Sequence, residues 1–243
     1  EDELPYYRLN LTRLLAGEIG DAALPIHPPA WYEEQRVDLV RGAEAERIDL
    51  DARKILLRDA RTLEWDRLIL AAGASPFVPP FPGAHLDGVR SLRTASDARA
   101  IVALARPGLR VVCIGGGILG LETAGALARR GADVTLLESH GFLMPRQLNQ
   151  RAGELLGRYV EGVGIRLVRQ ARTKAIQGSE RAEAVELEDG SRWPADLVIV
   201  ATGVRSNTRL AREAGLALQQ GVLVDNFLTT SHEDVFAAGD VAE

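Results

Sequence analysis

A strand, a glycine-rich loop, a helix and a second strand follow one another between residues 110 and 138. Residues 110–114 are rich in β-branched and apolar side chains, residues 115–120 include four glycines, residues 121–130 have helical apolar spacing, and residues 133–137 are again mostly apolar. This order forms a βαβ unit, which requires a parallel sheet covered by helices. The sequence therefore predicts an α/β fold.

The loop has the pattern Gly115-x-Gly117-x-x-Gly120 between the strand and the helix. In a dinucleotide-binding loop the first glycine allows the tight turn, the second lets the backbone approach a pyrophosphate, and the third lets helix and strand pack closely. The N–H groups at the start of the helix, at Ile118 and Leu119, would face the phosphates. These five residues are predicted to bind a cofactor. A glycine-rich packing turn without a ligand is the alternative.

Glu138 closes the second strand and follows Gly115 by 23 residues. An acidic residue about 20 residues beyond the loop accepts hydrogen bonds from the adenosine ribose in dinucleotide-binding folds. Its negative charge would repel a 2′-phosphate. We therefore expect Glu138 to favour NADH over NADPH.

One long segment occurs twice in the chain. Residues 54–73 and 184–203 both contain a strand, a turn, a tryptophan, an aspartate, a buried apolar strand and a closing glycine. The repeat predicts two copies of one nucleotide-binding domain, with the first copy's glycine loop lying before residue 1. We therefore expect this chain to be a fragment. Chance is the alternative, because apolar strands that end in glycine are common.

Five motifs resemble the two-dinucleotide flavoprotein reductases, the FAD- and NAD(P)-dependent pyridine nucleotide-disulfide oxidoreductase-like family. The motifs are Glu1 to Arg8, Leu15 to Glu18, Ala71 to Pro76, the Gly115 loop with Glu122, and Phe236 to Asp240. Within the family, the sequence Phe-Leu-Met-Pro-Arg-Gln-Leu after the second strand most resembles the flavin part of the NAD(P)H nitrite reductase large subunit. Rubredoxin and ferredoxin reductases are near relatives.

The resemblance implies a duplicated, Rossmann-like flavoprotein fold that binds two dinucleotides. Residues 1–92 with 215–243 would form an FAD-binding domain that lacks its first βαβ unit, and residues 93–214 would form an NAD-binding domain. Glu1 would hold the adenosine ribose of FAD, Arg8 would lie near the pyrophosphate, and Ala45 would meet the adenine through its backbone.

The same resemblance places further residues at the two cofactors. Ala72 and Gly73 would pass close to the flavin, and Asp240 would reach its ribityl chain. Gly203 and Gly239 complete the set of predicted cofactor-binding residues. A motif residue such as Asp240 has, taken singly, an equally good interpretation as a turn residue. The joint occurrence of the motifs in family order favours the functional interpretation.

Arg13 and Glu122 are the residues that the resemblance assigns to the reacting centre. Arg13 occupies the place where related reductases usually carry a lysine beside the flavin. Because a guanidinium stays charged and is a planar fork, it would tune the flavin electrostatically rather than donate a proton. A structural salt bridge between the two side chains is the alternative.

Cys113 is the single cysteine, so no intramolecular disulfide can form within these residues. Thiol cycling is thereby excluded here, and electrons would leave the flavin directly. The four histidines are scattered singly and no Cys or His pair has metal-ligand spacing, so we expect no metal. The net charge of −5, without a separate basic run, argues against a nucleic-acid or membrane partner.

The sequence thus predicts a cytoplasmic FAD-dependent oxidoreductase that takes hydride from NADH and passes electrons to an external acceptor. A flavin module of a nitrite reductase large subunit is the favoured form, and a stand-alone rubredoxin or ferredoxin reductase is the alternative. A non-enzymatic NADH-binding module is the alternative of another class. The expected partner is a redox acceptor protein or domain, and a homodimer is compatible with the sequence.

Overall fold

The computed structural model describes residues 1–243. Its α-helices are α1 (Leu11–Ala16), α2 (Pro29–Glu34), α3 (Ala95–Leu104), α4 (Ile118–Arg129), α5 (Gln150–Gly162) and α6 (Arg209–Glu213). Its strands are β1 (Ala45–Asp49), β2 (Lys54–Leu57), β3 (Thr62–Glu64), β4 (Leu68–Leu70), β5 (Ala74–Pro76), β6 (Val89–Arg90), β7 (Arg110–Ile114), β8 (Asp133–Glu138), β9 (Arg166–Arg169), β10 (Thr173–Gln177), β11 (Ala184–Leu187), β12 (Arg192–Pro194), β13 (Leu197–Val200), β14 (Val204–Ser206) and β15 (Val235–Ala237). Short 3₁₀ turns cover Arg8–Asn10, Asp21–Ala23 and Gly239–Val241.

The chain divides into two compact units. Unit 1 comprises Glu1–Tyr6, Pro25–Ser75 and Val204–Glu243, and unit 2 comprises Tyr7–Leu24 and Pro76–Gly203. These bounds differ from the proposed domains 1–92 with 215–243 and 93–214. The segment around α1 belongs to unit 2 because its leucines are buried and the helix packs on α3 and α4.

Unit 2 is built on a five-stranded parallel sheet with the order β6-β13-β7-β8-β9. The helix α4 connects β7 to β8, and α5 connects β8 to β9, so the predicted βαβ unit is present. At the centre, Val112 of β7 is paired with Thr135 of β8 on one side and with Val198 of β13 on the other. Four of the five β7 residues and all of β13 are buried, as expected for strands covered on both faces.

A three-stranded antiparallel sheet, β10-β11-β12, forms the second layer of unit 2. Its side chains Ile176, Val185 and Leu187 are buried in one core with Val112 and Val198 of the parallel sheet. This layer fixes one face of the strands that carry the glycine loop.

Unit 1 has a smaller version of the same architecture. Its antiparallel sheet has the order β1-β2-β3, and its parallel sheet contains β4 and β15. Ile48 of β1, Leu70 of β4 and Val235 of β15 belong to one buried core. The short strands β5 and β14 pair where the chain leaves and re-enters this unit.

The two antiparallel sheets match each other down to an irregularity in register. In unit 1 the pairing of β1 with β2 shifts between Ala45 and Arg47, and in unit 2 the pairing of β10 with β11 shifts between Thr173 and Ala175. Such bulges are specific local features rather than defects. A bulge at the same place in both sheets supports duplication over chance, and the α/β fold with a parallel sheet is confirmed.

Several predicted element boundaries are wrong. Residues 37–40 have the apolar composition of a short strand, but they form an irregular segment. The helix α4 begins at Ile118 rather than at 121, because the last residues of the glycine loop form its first turn. The sequence pattern predicts a helix over residues 147–161. It begins instead at Gln150, because the Asn149 side chain accepts a hydrogen bond from the Ala152 N–H at 3.0 Å and caps the helix. None of the helices is both long enough and apolar enough to cross a membrane.

An ion pair joins β7 to the start of β13. Asp196 Oδ1 accepts from Arg110 Nη2 at 2.6 Å, and Oδ2 accepts from Arg110 Nε at 3.0 Å and from the Arg110 backbone N–H at 3.1 Å. These hydrogen bonds from Arg110 lower the pKa of Asp196 from 3.8 to about 2. The stabilisation is therefore present above the ordinary pKa and is lost as the pH falls through about 2.

We expect Asp196→Asn to lower the free energy of unfolding by about 1–3 kcal/mol at pH 7, since it removes charge-assisted hydrogen bonds. The deficit should shrink as the pH falls from about 4 towards 2. Urea unfolding at several pH values measures both effects. Asp51→Asn, in an exposed turn, is the control and should change stability by less than about 0.5 kcal/mol. An equal loss at pH 7 and at acid pH would contradict the ion-pair explanation.

Candidate functional site

The three predicted loop glycines have three different surroundings. Gly115 has a φ of +112°, and a Cβ there would lie 2.4 Å from the Ala201 carbonyl oxygen. A Cβ on Gly120 would lie 1.9 Å from the carbonyl oxygen of Gly115, so helix and strand meet closely at this point. At Gly117 a Cβ would meet nothing within 4 Å. Two positions are therefore required by packing, and the middle one leaves open space over the backbone.

The open position is also the N-cap of α4. No side chain caps the helix at Gly117, and the first-turn residues Ile118 and Leu119 are exposed. A helix N-terminus carries unpaired N–H groups and the positive end of the helix dipole. An uncapped terminus beside a bare backbone suits a pyrophosphate.

Glu138 lies at the end of β8 and is only 5% exposed. Its Oε2 accepts the Gly116 N–H at 3.0 Å, so the carboxylate is attached to the glycine loop. Its Oε1 accepts the His140 N–H at 2.8 Å, with His140 Nδ1 also at 2.8 Å and Ser139 Oγ at 3.3 Å. Oε1 is saturated by these donors, whereas Oε2 keeps acceptor capacity for a ribose hydroxyl.

Sequence reasoning missed His140 and treated it as an isolated surface histidine. Its side chain is 62% exposed, and its ring nitrogen approaches a carboxylate that is 6% exposed. Its position two residues beyond a predicted ribose ligand was the only signal in the sequence. The contact itself depends on the turn that follows β8.

Unit 1 contains a cavity of about 790 Å³, a volume typical of ligand sites. Its lining includes Glu1, Ala45 and Ala72, three of the residues predicted to contact FAD. The acidic side chains of Glu1, Asp2 and Glu44 lie around it, as do the residues Gly42, Ala43, Ser75, Asn207, Arg209 and Leu210. An acceptor-rich wall suits the hydroxyl and amino donors of an adenosine and disfavours phosphates.

Two residues that were not predicted shape this cavity. Asn207 donates through Nδ2 to the Ala72 carbonyl at 2.8 Å and through its backbone N–H to the Gly73 carbonyl at 2.9 Å, and its Oδ1 accepts from Ser75 Oγ at 2.7 Å. All three bonds hold the loop of Ala72 to Ser75. No sequence signal pointed to Asn207, because its partners lie more than 130 residues away.

The second of these residues is Arg209, at the start of α6. Its Nη2 donates to the Ala45 carbonyl at 3.1 Å, and its Nη1 donates to the Glu46 carbonyl at 2.9 Å and to Glu213 at 3.0 Å. The guanidinium therefore orients the backbone predicted to meet adenine. Three of its five N–H donors are engaged in this way, so Arg209 holds that backbone in place.

The remaining predicted cofactor residues are placed separately. Asp240 follows β15 in an exposed 3₁₀ turn that Gly239 begins with a φ of +74°, and its carbonyl accepts from Ser206 Oγ at 2.7 Å. Gly203 has a φ of +120° and open space where a Cβ would lie. Arg8 belongs to unit 2 and donates to the Arg93 carbonyl, so it is not among the residues lining the unit 1 cavity.

The predicted pair at the reacting centre is not joined directly. Arg13 donates to Glu18 at 3.3 Å and to Asn10 at 3.5 Å, whereas Glu122 accepts from Thr12 Oγ1 at 3.0 Å. The predicted helix start at residue 121 would place Glu122 in the first turn of α4. Glu122 lies in the second turn, since the helix begins at Ile118. The direct salt bridge weighed as the alternative is likewise not formed.

A family model for the pyridine nucleotide-disulphide oxidoreductases matches residues 1–243. The chain belongs to this family. It is 34% identical over 98% of its length to the nitrite reductase [NAD(P)H] of Bacillus subtilis (strain 168), and spans 30% of that protein. It is 37% identical, over its whole length, to the ferredoxin–NAD(+) reductase component of the biphenyl dioxygenase system of Paraburkholderia xenovorans (strain LB400), and spans 59% of it.

A solved relative has the same fold. The putidaredoxin reductase–putidaredoxin complex matches with a TM-score of 0.94 and 30% identity over 99% of this chain and 59% of the solved chain. The resemblance expected from the motifs is confirmed, and so is an oxidoreductase class. The chain spans between about a third and three fifths of the length of these relatives.

The family is named for a disulphide, but Cys113 is the single cysteine of this chain and is buried in β7. Burial raises the pKa of its thiol from 9.0 to about 12. Since the thiolate is the reactive form, we expect no labelling by a thiol reagent at pH 8 in the native protein, and one labelled thiol after denaturation. Rapid labelling of the native protein would contradict the buried position.

Proposed function

We propose that this chain is the FAD- and NADH-binding part of an oxidoreductase that passes electrons to a separate acceptor protein or domain. The family membership supports the oxidoreductase class. The observation that carries the proposal is the glycine loop of unit 2, where the open backbone at Gly117, the uncapped start of α4 and the buried carboxylate of Glu138 lie around one loop.

The residues of unit 2 suit NADH in chemistry and in spacing. The first-turn N–H groups of α4 would bind the pyrophosphate, and the free acceptor capacity of Glu138 Oε2 would take a hydroxyl of the adenosine ribose. An anionic carboxylate beside the ribose disfavours a 2′-phosphate. NADH is therefore the proposed electron donor.

The cavity of unit 1 suits the adenosine part of FAD. Glu1 would accept from the ribose, and the Ala45 backbone, held by Arg209, would contact the adenine. The loop of Ala72 and Gly73, held by Asn207, would lie along the flavin. When bound, the flavin accepts hydride from NADH and releases electrons to the acceptor. Within these residues no thiol pair competes for those electrons.

We infer that the acceptor is the remainder of a nitrite reductase large subunit, which the Bacillus relative supports. A small electron-carrier protein such as a ferredoxin is the second candidate, and the Paraburkholderia relative supports it at similar identity. The two candidates differ in whether the acceptor is covalently part of the protein or a separate molecule.

The decisive experiment is anaerobic reduction of the full-length protein. We expect flavin absorption bands in the purified protein or after addition of FAD, and loss of the oxidised-flavin bands on addition of NADH. Electron transfer is then assayed with nitrite and, separately, with a ferredoxin whose reduction is followed by its absorbance. NADH binding without flavin bands, even after addition of FAD, would instead identify a non-enzymatic NADH-binding module.

We expect Asn207→Ala to weaken FAD binding about tenfold, because the loop of Ala72 to Ser75 loses the two side-chain hydrogen bonds, of about 1 kcal/mol each, and keeps only the backbone bond to Gly73. The measurement is the dissociation constant for FAD by flavin fluorescence, with thermal unfolding in parallel. Asn226→Ala, in an exposed loop of the same unit, is the matched control. Unchanged FAD affinity in Asn207→Ala would refute the positioning role.

A further inference from the structure

One imidazole ring, that of His140, contacts the carboxylate of Glu138. His140 Nδ1 lies 2.8 Å from Glu138 Oε1. Because an ionised carboxylate can only accept, Nδ1 carries a proton in this contact. The ring nitrogen that gains or loses a proton is therefore Nε2, on a side chain that is 62% exposed.

Protonation of Nε2 changes the charge of the whole cluster. With a neutral ring, Glu138 and His140 together carry one negative charge. With a protonated ring the pair is neutral, and the contact to Oε1 is kept in both states. An imidazole changes between these states in the range of about pH 5 to 8.

The charged side chain opposite Glu138 in the sheet is already paired. Arg169 of β9 lies opposite Glu138 in the parallel ladder, and its guanidinium donates to Glu161 of α5 at 3.1 and 3.3 Å. The glycine loop contributes only backbone N–H groups, since residues 115–121 contain no charged side chain. The segment after β9 reaches His140 through a backbone bond from Gln170. Among these groups, His140 carries the only imidazole.

We propose that His140 makes the coenzyme preference of the Glu138 site dependent on pH, so that a nucleotide with a 2′-phosphate binds better as the pH falls. The proposal rests on the proposed function of the glycine loop. With a neutral ring the anionic pair repels the phosphate. With a protonated ring, which a lower pH favours, the imidazolium offsets the carboxylate and presents an N–H to the phosphate oxygens.

The experiment measures dissociation constants of NADH and NADPH for the full-length protein at pH 6 and pH 8, without turnover. His140→Asn is the key variant, because its amide can still donate to Glu138 but cannot titrate. We expect the dissociation constant of NADPH divided by that of NADH to fall when the pH is lowered from 8 to 6. This fall should be about tenfold larger in the wild type than in His140→Asn. His85→Asn, which removes another exposed histidine of unit 2, should behave as the wild type.

The phosphate of NADPH itself changes its protonation state with pH, and it does so equally in experiments on both proteins. The difference between the wild type and His140→Asn therefore reports the effect of the imidazole ring alone. An equal change of the ratio in wild type and His140→Asn, with NADH still bound, overturns the role of His140 and leaves the proposed function standing. Loss of NADH binding at both pH values in the wild type overturns both. His140→Gln serves in place of His140→Asn if circular dichroism shows that the first variant is unfolded.

Discussion

Replacement of Gly117 by valine should abolish NADH binding in a chain that stays folded. A Cβ at this position meets nothing within 4 Å, and a φ of −77° with extended ψ is open to a branched residue. The new side chain would occupy the space through which a pyrophosphate reaches the backbone. We expect the dissociation constant for NADH to rise at least about a hundredfold, while stability changes by about 1 kcal/mol or less.

Two neighbouring glycines provide matched controls for this result. Gly125→Ala, inside α4 and with open space at its Cβ, should leave NADH affinity unchanged and stabilise the protein by about 0.5–1 kcal/mol. Gly120→Ala should destabilise it by about 1–3 kcal/mol or more, because its Cβ would collide with the Gly115 carbonyl. NADH fluorescence and urea unfolding measure both properties. Tight NADH binding by Gly117→Val would mean that the nucleotide does not approach this backbone.

The parts of the fold that could be predicted from sequence are those set by local pattern. The strand, glycine loop and helix of unit 2 follow from spacing within residues 110–138, and the repeat correctly paired 54–73 with 184–203. Both depend on periodicity that survives in any tertiary context. The predicted start of α4 was too late, because Ile118, Leu119 and Gly120 were assigned to the glycine loop although they form the first turn of the helix.

The unit to which each segment belongs could not be predicted from local sequence pattern. Residues 7–24 precede most of unit 1 in sequence, yet α1 buries Leu11, Leu14 and Leu15 in unit 2. The pattern of a short amphipathic helix predicts that one face is buried, but it does not predict which element that face packs against. The same limit applies to Thr12, which reaches Glu122 across 110 residues, whereas a salt bridge from Arg13 to Glu122 was only the alternative interpretation.

The candidate sites divide along the same line. Gly115, Gly117, Gly120 and Glu138 belong to one contiguous motif, so their geometry could be anticipated. His140 and Asn207 act through side-chain contacts that depend on turns and on long-range packing. Their residue types are ordinary for exposed loops, and only the three-dimensional arrangement shows that each holds a predicted ligand-binding group.

Removal of the charge at Glu138 should change the nucleotide preference more than any other single substitution. Glu138→Gln keeps the size of the side chain and one acceptor oxygen in place of two, and removes the negative charge beside the ribose. We expect the preference for NADH over NADPH, measured as the ratio of dissociation constants, to fall about ten- to a hundredfold. Glu138→Ala should narrow the preference as well, with a stability loss of about 1–3 kcal/mol because buried N–H groups of Gly116 and His140 lose their acceptor.

The controls separate charge from structure. Glu154→Gln removes a half-buried carboxylate from α5, where it accepts a hydrogen bond from Gln150 at 2.7 Å, and should leave the preference unchanged. Stopped-flow reduction of the flavin by each nucleotide gives a second, independent ratio. If NADPH remained as strongly disfavoured in Glu138→Gln as in the wild type, the discrimination would have to come from shape rather than charge. The carboxylate is hydrogen-bonded to the Gly116 N–H of the glycine loop. The charge explanation therefore requires a more specific result than the shape explanation. The loss of preference must come from a higher affinity for NADPH, while the affinity for NADH changes by no more than a few-fold.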